Sequence, residues 1–117
     1  MFKRIVQLFR GKPVRIEGIA ELPEGHARRE LVGDPFAGGC EIVVCRVQGE
    51  LFAVNGLCPH AADGHFMDGP LIHGQHVYCP AHNYRFDPKT GKPVGAVCGS
   101  ATTYRVEADG DDCIVYI

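Results

Sequence analysis

Two short motifs combine residue types that bind soft metal ions. The first is Cys58-Pro59-His60, and the second, after a gap of 18 residues, is Cys79-Pro80-Ala81-His82. Each motif supplies one thiolate sulfur and one imidazole nitrogen. A binuclear iron–sulfur centre uses such a set fully when one iron takes both thiolates and the other takes both imidazoles. Neutral imidazoles in place of thiolates also remove negative charge, so such a centre is easier to reduce.

A single tetrahedral zinc ion is the main alternative, because two Cys and two His form a common zinc-binding set. Zinc motifs usually pair like with like, with two Cys in the first motif and two His in the second. Here each motif mixes the two types, the first has a one-residue gap, and Pro80 follows Cys79. These features favour the iron–sulfur centre, and zinc and a domain that has lost its cluster remain as alternatives.

The second motif continues as CPAHNYRFD over residues 79–87. This segment resembles the C-P-x-H-G-x-x-F-D pattern of Rieske [2Fe–2S] proteins, and the segment 47–60 resembles the family's approach to its first ligand loop. The one departure is Asn83, where the family usually has Gly. Asn tolerates a positive φ angle better than other non-glycine residues, so we expect Asn83 to adopt one.

The resemblance covers roughly residues 14–117 and implies one [2Fe–2S] cluster per chain. By analogy with the family, the inner iron is bound by the two thiolates and the outer iron by the two imidazoles. The implied ligands are therefore Cys58, His60, Cys79 and His82. The family usually covers its cluster with a Pro-containing loop after the second motif. In this chain residues 93–100 have Pro93 early and small residues later, so we expect a differently shaped third wall.

Two absences indicate the subclass. High-potential Rieske proteins of respiratory complexes carry a further Cys in each loop, paired as a disulfide, where this chain has Asp63 and Ala81. They also place a hydroxyl donor near the position of Tyr84, and hydrogen bonds to cluster sulfur raise the potential. The resemblance therefore implies a potential at the low end of the Rieske range, about −150 mV.

This pattern resembles the ferredoxins of aromatic-ring dioxygenase systems. Such a ferredoxin takes an electron from a flavin-dependent reductase and passes it to an oxygenase. An oxygenase itself needs a second, mononuclear iron and a substrate chamber, for which a chain of 117 residues has no room. The expected function is therefore an electron carrier and not an enzyme. The alternative is a non-catalytic Rieske subunit of a larger oxidoreductase complex.

Composition favours a single all-β domain. The 15 Gly and 8 Pro among 117 residues indicate many turns and short strands. Residues 41–47 and 51–55 read as one hairpin, and 102–107 and 113–117 as another. The remaining predicted strands lie at 14–19, 71–72 and 76–78, and 26–39 reads as a polar connection with solvated charges. The resemblance implies an antiparallel β-sandwich with a small cluster-binding subdomain near residues 43–100.

The N-terminal residues differ in character from the remainder. Residues 1–12 hold four basic residues and no acidic one, and the remaining 8 basic and 14 acidic residues give the body a charge of −6. We divide the chain into an amphipathic segment, 1–13, and a Rieske domain, 14–117; the segment packs on the domain or docks through residues 1–12 on a surface. An acidic body does not favour nucleic acid. No apolar run reaches a membrane span and none resembles a signal peptide, which favours the cytoplasm, where thiols stay reduced.

Several residues with reactive side chains remain outside the two motifs. We expect the additional histidines to be surface or hydrogen-bonding residues: His26, His65, His73 and His76. Cys45 and Cys113 lie in strand patterns and are expected to be small buried apolar residues, and Cys40 and Cys98 complete the extra thiols. The spacing of these four thiols fits no zinc signature. Phe52, Phe66 and Phe86 are expected in the core.

Overall fold

The computed structural model of the protein describes residues 12–33, 40–59, 64–81, 83–95 and 98–117. Within these residues the chain forms ten β-strands and one short 3₁₀ helix, Ile19–Glu21. The strands are β1 (Pro13–Ile16), β2 (His26–Val32), β3 (Cys40–Val47), β4 (Glu50–Asn55), β5 (Gly69–Pro70), β6 (Val77–Cys79), β7 (Tyr84–Phe86), β8 (Pro93–Val94), β9 (Thr103–Asp109) and β10 (Asp112–Tyr116). The predicted all-β fold is confirmed.

The strands form two sheets in which every described pairing is antiparallel. The larger sheet has seven strands in the order β1-β10-β9-β4-β3-β2-β5, and the smaller has three in the order β6-β7-β8. Both predicted hairpins are present. Gln48 and Gly49, with φ angles of 52° and 80°, form the turn of the β3–β4 hairpin, where a tight two-residue turn needs positive φ.

Two buried cores lie on opposite faces of β3. Val43, Cys45 and Val47 belong to the first core, together with residues of the three-stranded sheet such as Phe86. Ile42 and Val44 belong to the second core, which also takes residues from β1, β4 and β10. Successive side chains of a strand point to opposite faces, so a strand buried on both faces needs the continuous apolar run found at 42–45.

The second core explains how the seven-stranded sheet curls. It joins Ile16, Cys113 and Val115, from β1 and β10, to residues of β3 and β4. The two halves of the sheet are linked only through the short β4–β9 pairing, Ala53↔Tyr104 and Val54↔Thr103, among the described strands. The sheet therefore folds back so that its halves cover one another, and this is the sandwich-like part of the molecule.

The prediction of a polar connection at 26–39 is wrong for its first part, because residues 26–32 form β2. This strand pairs with β3 over six residue pairs and with β5 over two. Only Ala27 is buried among its side chains, so the local apolar signal for a strand is weak. β2 forms because its backbone pairs with β3 and β5, and these pairings do not show in the residue pattern of β2 itself.

Three further predictions differ from the structure. The Arg28 guanidinium is not simply solvated, since it donates hydrogen bonds to Gly18 O at 3.2 Å and Glu17 O at 2.6 Å. Ile19 is not part of the first strand but is buried in the 3₁₀ helix, after Gly18 at a φ of 67°. The strand predicted at 71–72 is a turn with an isolated bridge between Ile72 and His76, and the neighbouring strand is β5.

The described chain begins and ends side by side. Lys12 N–H donates to Ile117 O at 2.8 Å, and Ile117 N–H donates to Lys12 O at 3.0 Å. Residues 1–11, which hold most of the predicted amphipathic segment, lie outside the described residues, so the division at 13/14 stays a prediction. None of the helical residues in the described ranges forms a helix with the length and apolarity of a membrane span.

Candidate metal centre

Cys58 lies in a loop that leaves β4 and returns toward β5. Its backbone N–H donates to Gly64 O at 2.9 Å, and Phe66 N–H donates to Gly56 O at 2.9 Å. The two sides of the loop therefore pair as a short antiparallel ladder. This pairing holds Cys58 with only 5% of its surface exposed. His60 lies outside the described residues.

Cys79 ends β6 and lies opposite Tyr84, the first residue of β7. The register leaves residues 80–83 as a four-residue connection between these strands. Asn83 has a φ of 56°, which confirms the expectation that Asn takes the left-handed conformation in this turn. Cys79 is 1% exposed. His82, the other implied ligand of this loop, lies outside the described residues.

The two thiols belong to one buried core although their loops are separate in sequence. Cys58 and Cys79 both lie in the first core with Phe66 and Phe86, whose ring centroids are 5.2 Å apart. All six cysteines are free of disulfides. Two unoxidised thiols shielded by aromatic rings fit the sulfur half of the predicted ligand set, because thiolate is the form that binds iron.

A third segment, residues 98–101, lies against the first ligand loop. Ala101 N–H donates to Gly91 O at 2.7 Å, which ties the segment before β9 to the turn after β7. A Cβ on Gly99 would be 4.0 Å from the Pro59 Cβ, so this segment passes close to the residue that follows Cys58. Pro93 is paired with Phe86 in β8. The shape of the third wall as a whole stays a prediction, because residues 96–97 lie outside the described residues.

Glu41 links the first ligand loop to the sheet, a role that sequence reasoning missed. Its carboxylate lies 2.8 Å from Arg29 Nη2 on β2 and 3.1 Å from His65 Nδ1. His65 in turn bridges Leu57, the residue before Cys58. Burial raises the pKa of the Glu41 carboxyl, but the hydrogen bonds from Arg29 and His65 outweigh burial and hold the pKa below its usual value. The sequence signal that could have indicated this role is that Glu41 is the one acidic residue in the otherwise largely apolar strand β3.

The other reactive side chains do not join the site. Cys45 is fully buried in the first core and Cys113 in the second, as predicted, while Cys98 packs on the first core and Cys40 on the second. Burial, followed by the nearby Asp87 charge, raises the pKa of Cys45 to about 12. The four extra thiols are therefore divided between two cores and do not form one metal site. Phe66 and Phe86 are buried as predicted, and Phe52 is half-buried.

Three of the four additional histidines fit their predicted hydrogen-bonding or surface roles, and His76 does not. His26 Nδ1 lies 3.1 Å from Glu24 O, and His65 forms the contact with Glu41. His73 is exposed, in a turn with a φ of 53°. The Nδ1 atom of His76 is buried without a hydrogen-bond partner among the described residues.

Comparison with known proteins places these features in a family. A family model described as Rieske [2Fe–2S] domain matches residues 12–105. The ferredoxin component of the naphthalene 1,2-dioxygenase system of Pseudomonas aeruginosa is 33% identical over 99 residues, 81% of this chain and 86% of that protein. The 3-phenylpropionate/cinnamic acid dioxygenase ferredoxin subunit of Escherichia coli K12 is 35% identical over 101 residues, 83% of this chain and 86% of that protein.

A solved structure agrees with these matches. The ferredoxin of carbazole 1,9a-dioxygenase from Nocardioides aromaticivorans IC177 superposes with a TM-score of 0.70 at 27% identity, and the match covers 91% of this chain and 98% of that chain. Two antiparallel sheets with buried, unoxidised thiols on adjacent loops define a β protein suited to hold a metal centre. The chain belongs to the Rieske [2Fe–2S] domain family.

Family membership confirms three predictions made from the sequence. The Rieske domain carries a [2Fe–2S] cluster, one per chain, which decides against the zinc alternative. The fold is the family's. The matching relatives are named as ferredoxin components, so the chain is an electron-transfer protein and not the catalytic enzyme of such a system.

Proposed function

We propose that this chain carries single electrons from a flavin-dependent reductase to the oxygenase of an aromatic-ring dioxygenase system, or to a similar terminal oxidoreductase. The observation that carries this proposal is the match over most of the chain to ferredoxin components of such systems, combined with two buried thiols, outside any disulfide, in the expected loops. The relatives named above serve different dioxygenases, so the proposal leaves the final substrate open.

We further propose that the ligands are Cys58 and Cys79 for one iron and His60 and His82 for the other. When bound, the cluster supplies one-electron redox chemistry. The chain's own residues hold and shield it: the ladder around Cys58 positions the first loop, and the β6–β7 register positions the second. Phe66 and Phe86 exclude water from the thiolate side, which strengthens the local electrostatic effects that tune the potential.

The low-potential assignment belongs to the same proposal. Ala81 stands where the disulfide-bearing proteins have Cys, and none of the six cysteines forms a disulfide. A carrier at about −150 mV is a stronger reductant than a high-potential Rieske protein, so it can pass its electron to an acceptor of lower potential. A cytoplasmic location and a docking role for residues 1–12 also remain proposals.

Spectra and iron content of anaerobically purified protein test the ligand assignment. The wild type should be coloured, contain two irons per chain as the [2Fe–2S] assignment requires, and show a reduced-state EPR signal of low average g. Cys79→Ser and His82→Ala should lose the visible bands, while Cys40→Ser, which changes a half-buried thiol at the second core, should retain them. Colourless wild-type protein would contradict the proposal, as would an unchanged spectrum in either ligand variant.

Reconstituted turnover distinguishes the carrier from the alternative of a fixed subunit. With the reductase and oxygenase of a naphthalene dioxygenase system, catalytic amounts of the freely diffusing protein should support NADH-dependent oxygenase reduction. Activity that requires a permanent stoichiometric complex with another polypeptide would favour the non-catalytic subunit of a larger oxidoreductase. The free carrier and the fixed subunit would contain the same cluster, so only the way in which the protein meets its redox partner distinguishes them.

A further inference from the structure

The outer face of the three-stranded sheet carries one row of side chains across all three strands. The register aligns Tyr78 with Arg85, and Arg85 with Val94. The neighbours Val77, Cys79 and Phe86 are buried, whereas Arg85 is exposed and Val94 is 38% exposed. Because alternate residues of a strand point to opposite faces, the row points away from the first core. We call Tyr78, Arg85 and Val94 the outer row.

The outer row lies beside the second ligand loop. Tyr78 immediately precedes Cys79, and Arg85 follows Tyr84, the residue opposite Cys79. One residue of strand advances the chain by about 3.3 Å, and three adjacent strands span about 10 Å. A protein seated on this face would therefore lie beside the loop that contains Cys79.

Charge is divided unevenly between the two sheets. Residues 77–95 contain three basic side chains and one acidic one, a charge of +2. The other described residues contain six basic and eleven acidic side chains, a charge of −5. The segment that contains the three-stranded sheet is thus basic, while the other described residues taken together are acidic.

Arg85 differs from the other arginines of the described chain because its guanidinium has neither a carboxylate nor a carbonyl partner among the described residues. Four of them form ion pairs with carboxylates: Arg15, Arg28, Arg29 and Arg105. Arg46 donates to the carbonyl oxygens of Leu22 at 2.9 Å and Ile19 at 3.0 Å. No carboxylate in the described ranges lies within ion-pair distance of the Arg85 guanidinium. An exposed arginine without an internal partner, next to an exposed apolar side chain, is a composition typical of protein interfaces.

We propose that the outer row is the docking surface for an acidic face of a protein redox partner. This inference rests on the proposed function, since it assigns a surface to the partner of the same cluster. Opposite charges on two such faces would orient the partners during encounter and raise the association rate. Val94 and the Tyr78 ring supply the apolar contact, and Arg85 supplies the charge that selects an acidic surface.

The first test uses small redox ions whose charge is known. Dithionite-reduced holoprotein is mixed with ferricyanide, an anion, or with tris(phenanthroline)cobalt(III), a cation, and reoxidation is followed by stopped flow. Arg85→Glu should slow the reaction with ferricyanide by about three- to tenfold at low ionic strength and should accelerate the reaction with the cobalt complex. Both effects should diminish at high salt. The control is Arg15→Glu, which makes the same change in net charge at an exposed residue of β1 in the larger sheet.

The second test uses the reductase of a naphthalene dioxygenase system as the protein probe. Arg85→Glu should raise the KM of the reductase for this chain about threefold or more, with kcat unchanged, while Arg15→Glu matches the wild type. Equal behaviour of the two variants toward both small ions would overturn the docking inference and leave the proposed function intact. Failure of wild-type protein to form a reducible cluster would instead remove the proposed function, so the two failures are distinct.

Discussion

Side chains of one type have different chemistry in this protein because of where they are buried. Cys58 and Cys79 are buried in the two ligand loops, whereas Cys45 and Cys113 are buried within strands β3 and β10. Burial raises the pKa of both Cys45 and Cys113, so these thiols stay protonated at neutral pH. The reactive form of cysteine is the thiolate, and these two thiols are therefore structural.

Alkylation of the folded holoprotein should follow this division. With iodoacetamide at mildly alkaline pH, Cys40, which is only half-buried, should be modified first, and Cys45 and Cys113 should remain unmodified until the protein unfolds. Peptide mapping by mass spectrometry measures the modification of each residue. Modification of Cys45 as fast as Cys40 would contradict the assignment.

The conformation of Asn83 makes a second prediction at the residue scale. Its φ of 56° is unfavourable for a β-branched residue and free for Gly. Asn83→Val should lower the free energy of unfolding by about 1–2 kcal/mol, whereas Asn83→Gly should change it little. Denaturant unfolding of the two variants measures the difference. Equal stability would show that the turn relaxes to another conformation.

Among the connecting elements, the turn between β7 and β8 is the most tightly constrained near the site. Gly91 N–H donates to Asp87 O at 2.7 Å, and Gly91 O accepts from Ala101 N–H. A Cβ on Gly91 would lie only 2.1 Å from Ala101 O, which is far inside van der Waals contact. The turn therefore positions the third segment, which passes beside Pro59, only if residue 91 has no side chain.

Comparison of two glycines isolates this steric effect. Gly91 and Gly110 both have positive φ, 79° and 62°, but nothing lies within 4 Å of a Cβ on Gly110. Gly110→Ala should lose about 1–2 kcal/mol of stability through φ alone. Gly91→Ala should lose clearly more and should also retain less iron. Thermal unfolding and iron analysis measure both, and similar losses in the two variants would contradict the proposed constraint.

The contacts of Glu41 connect β2, β3 and the first ligand loop, and they depend on its charge. Because its folded pKa is lowered, the stabilisation is present above the pKa of the unfolded chain and is lost as the pH falls through the folded pKa. Glu41→Gln should reduce stability at neutral pH by about 1 kcal/mol, a modest value because Arg29 and His65 are partly exposed.

The pH dependence provides the check on this element. The difference between wild type and Glu41→Gln should be largest at neutral pH and should vanish in acid, as measured by circular dichroism during thermal unfolding. Glu50→Gln is the matched control, since Glu50 is exposed and forms no ion pair with the described residues. A difference that persists unchanged in acid would mean that packing, and not charge, explains the effect.

At the scale of the whole molecule, only one of the two cores contains the proposed thiolate ligands, and the other serves stability alone. The first core contains both proposed thiolate ligands, and the second core contains neither of them. A ligand that binds only the folded state adds to its stability, and here that contribution acts on the first core. β3 contributes side chains to both cores and so couples them.

Removal of the cluster should therefore loosen the molecule unevenly. In apoprotein, hydrogen–deuterium exchange should accelerate most in residues 64–66 and 77–86, while the β9–β10 hairpin, packed on the second core, should keep most of its protection. Peptide-level exchange of holo- and apoprotein measures this contrast. Uniform acceleration across both sheets would indicate that the two cores unfold as one unit.

The sequence by itself determined the chemistry and the class of fold. The residue types and spacing of the two mixed Cys–His motifs predict a [2Fe–2S] cluster, which membership of the family confirms, while their role as its ligands stays a proposal. The hairpins of β3–β4 and β9–β10 are local, since alternating apolar residues and turn residues lie within a few positions of each other. The positive φ of Asn83 was also predictable, because it depends on the type of a single residue at a turn position.

Only the tertiary structure decided the features that depend on residues far apart in the chain. β2 forms because β3 and β5 satisfy its hydrogen bonds, although its own side chains are mostly polar. The contact between Glu41 and His65 joins residues 24 positions apart, and the Gly91 turn is constrained by Ala101. Arg85 likewise lacks an ion pair among the described residues because packing leaves no carboxylate there close to its guanidinium. Distances across a fold follow from packing and strand register, which no local pattern contains.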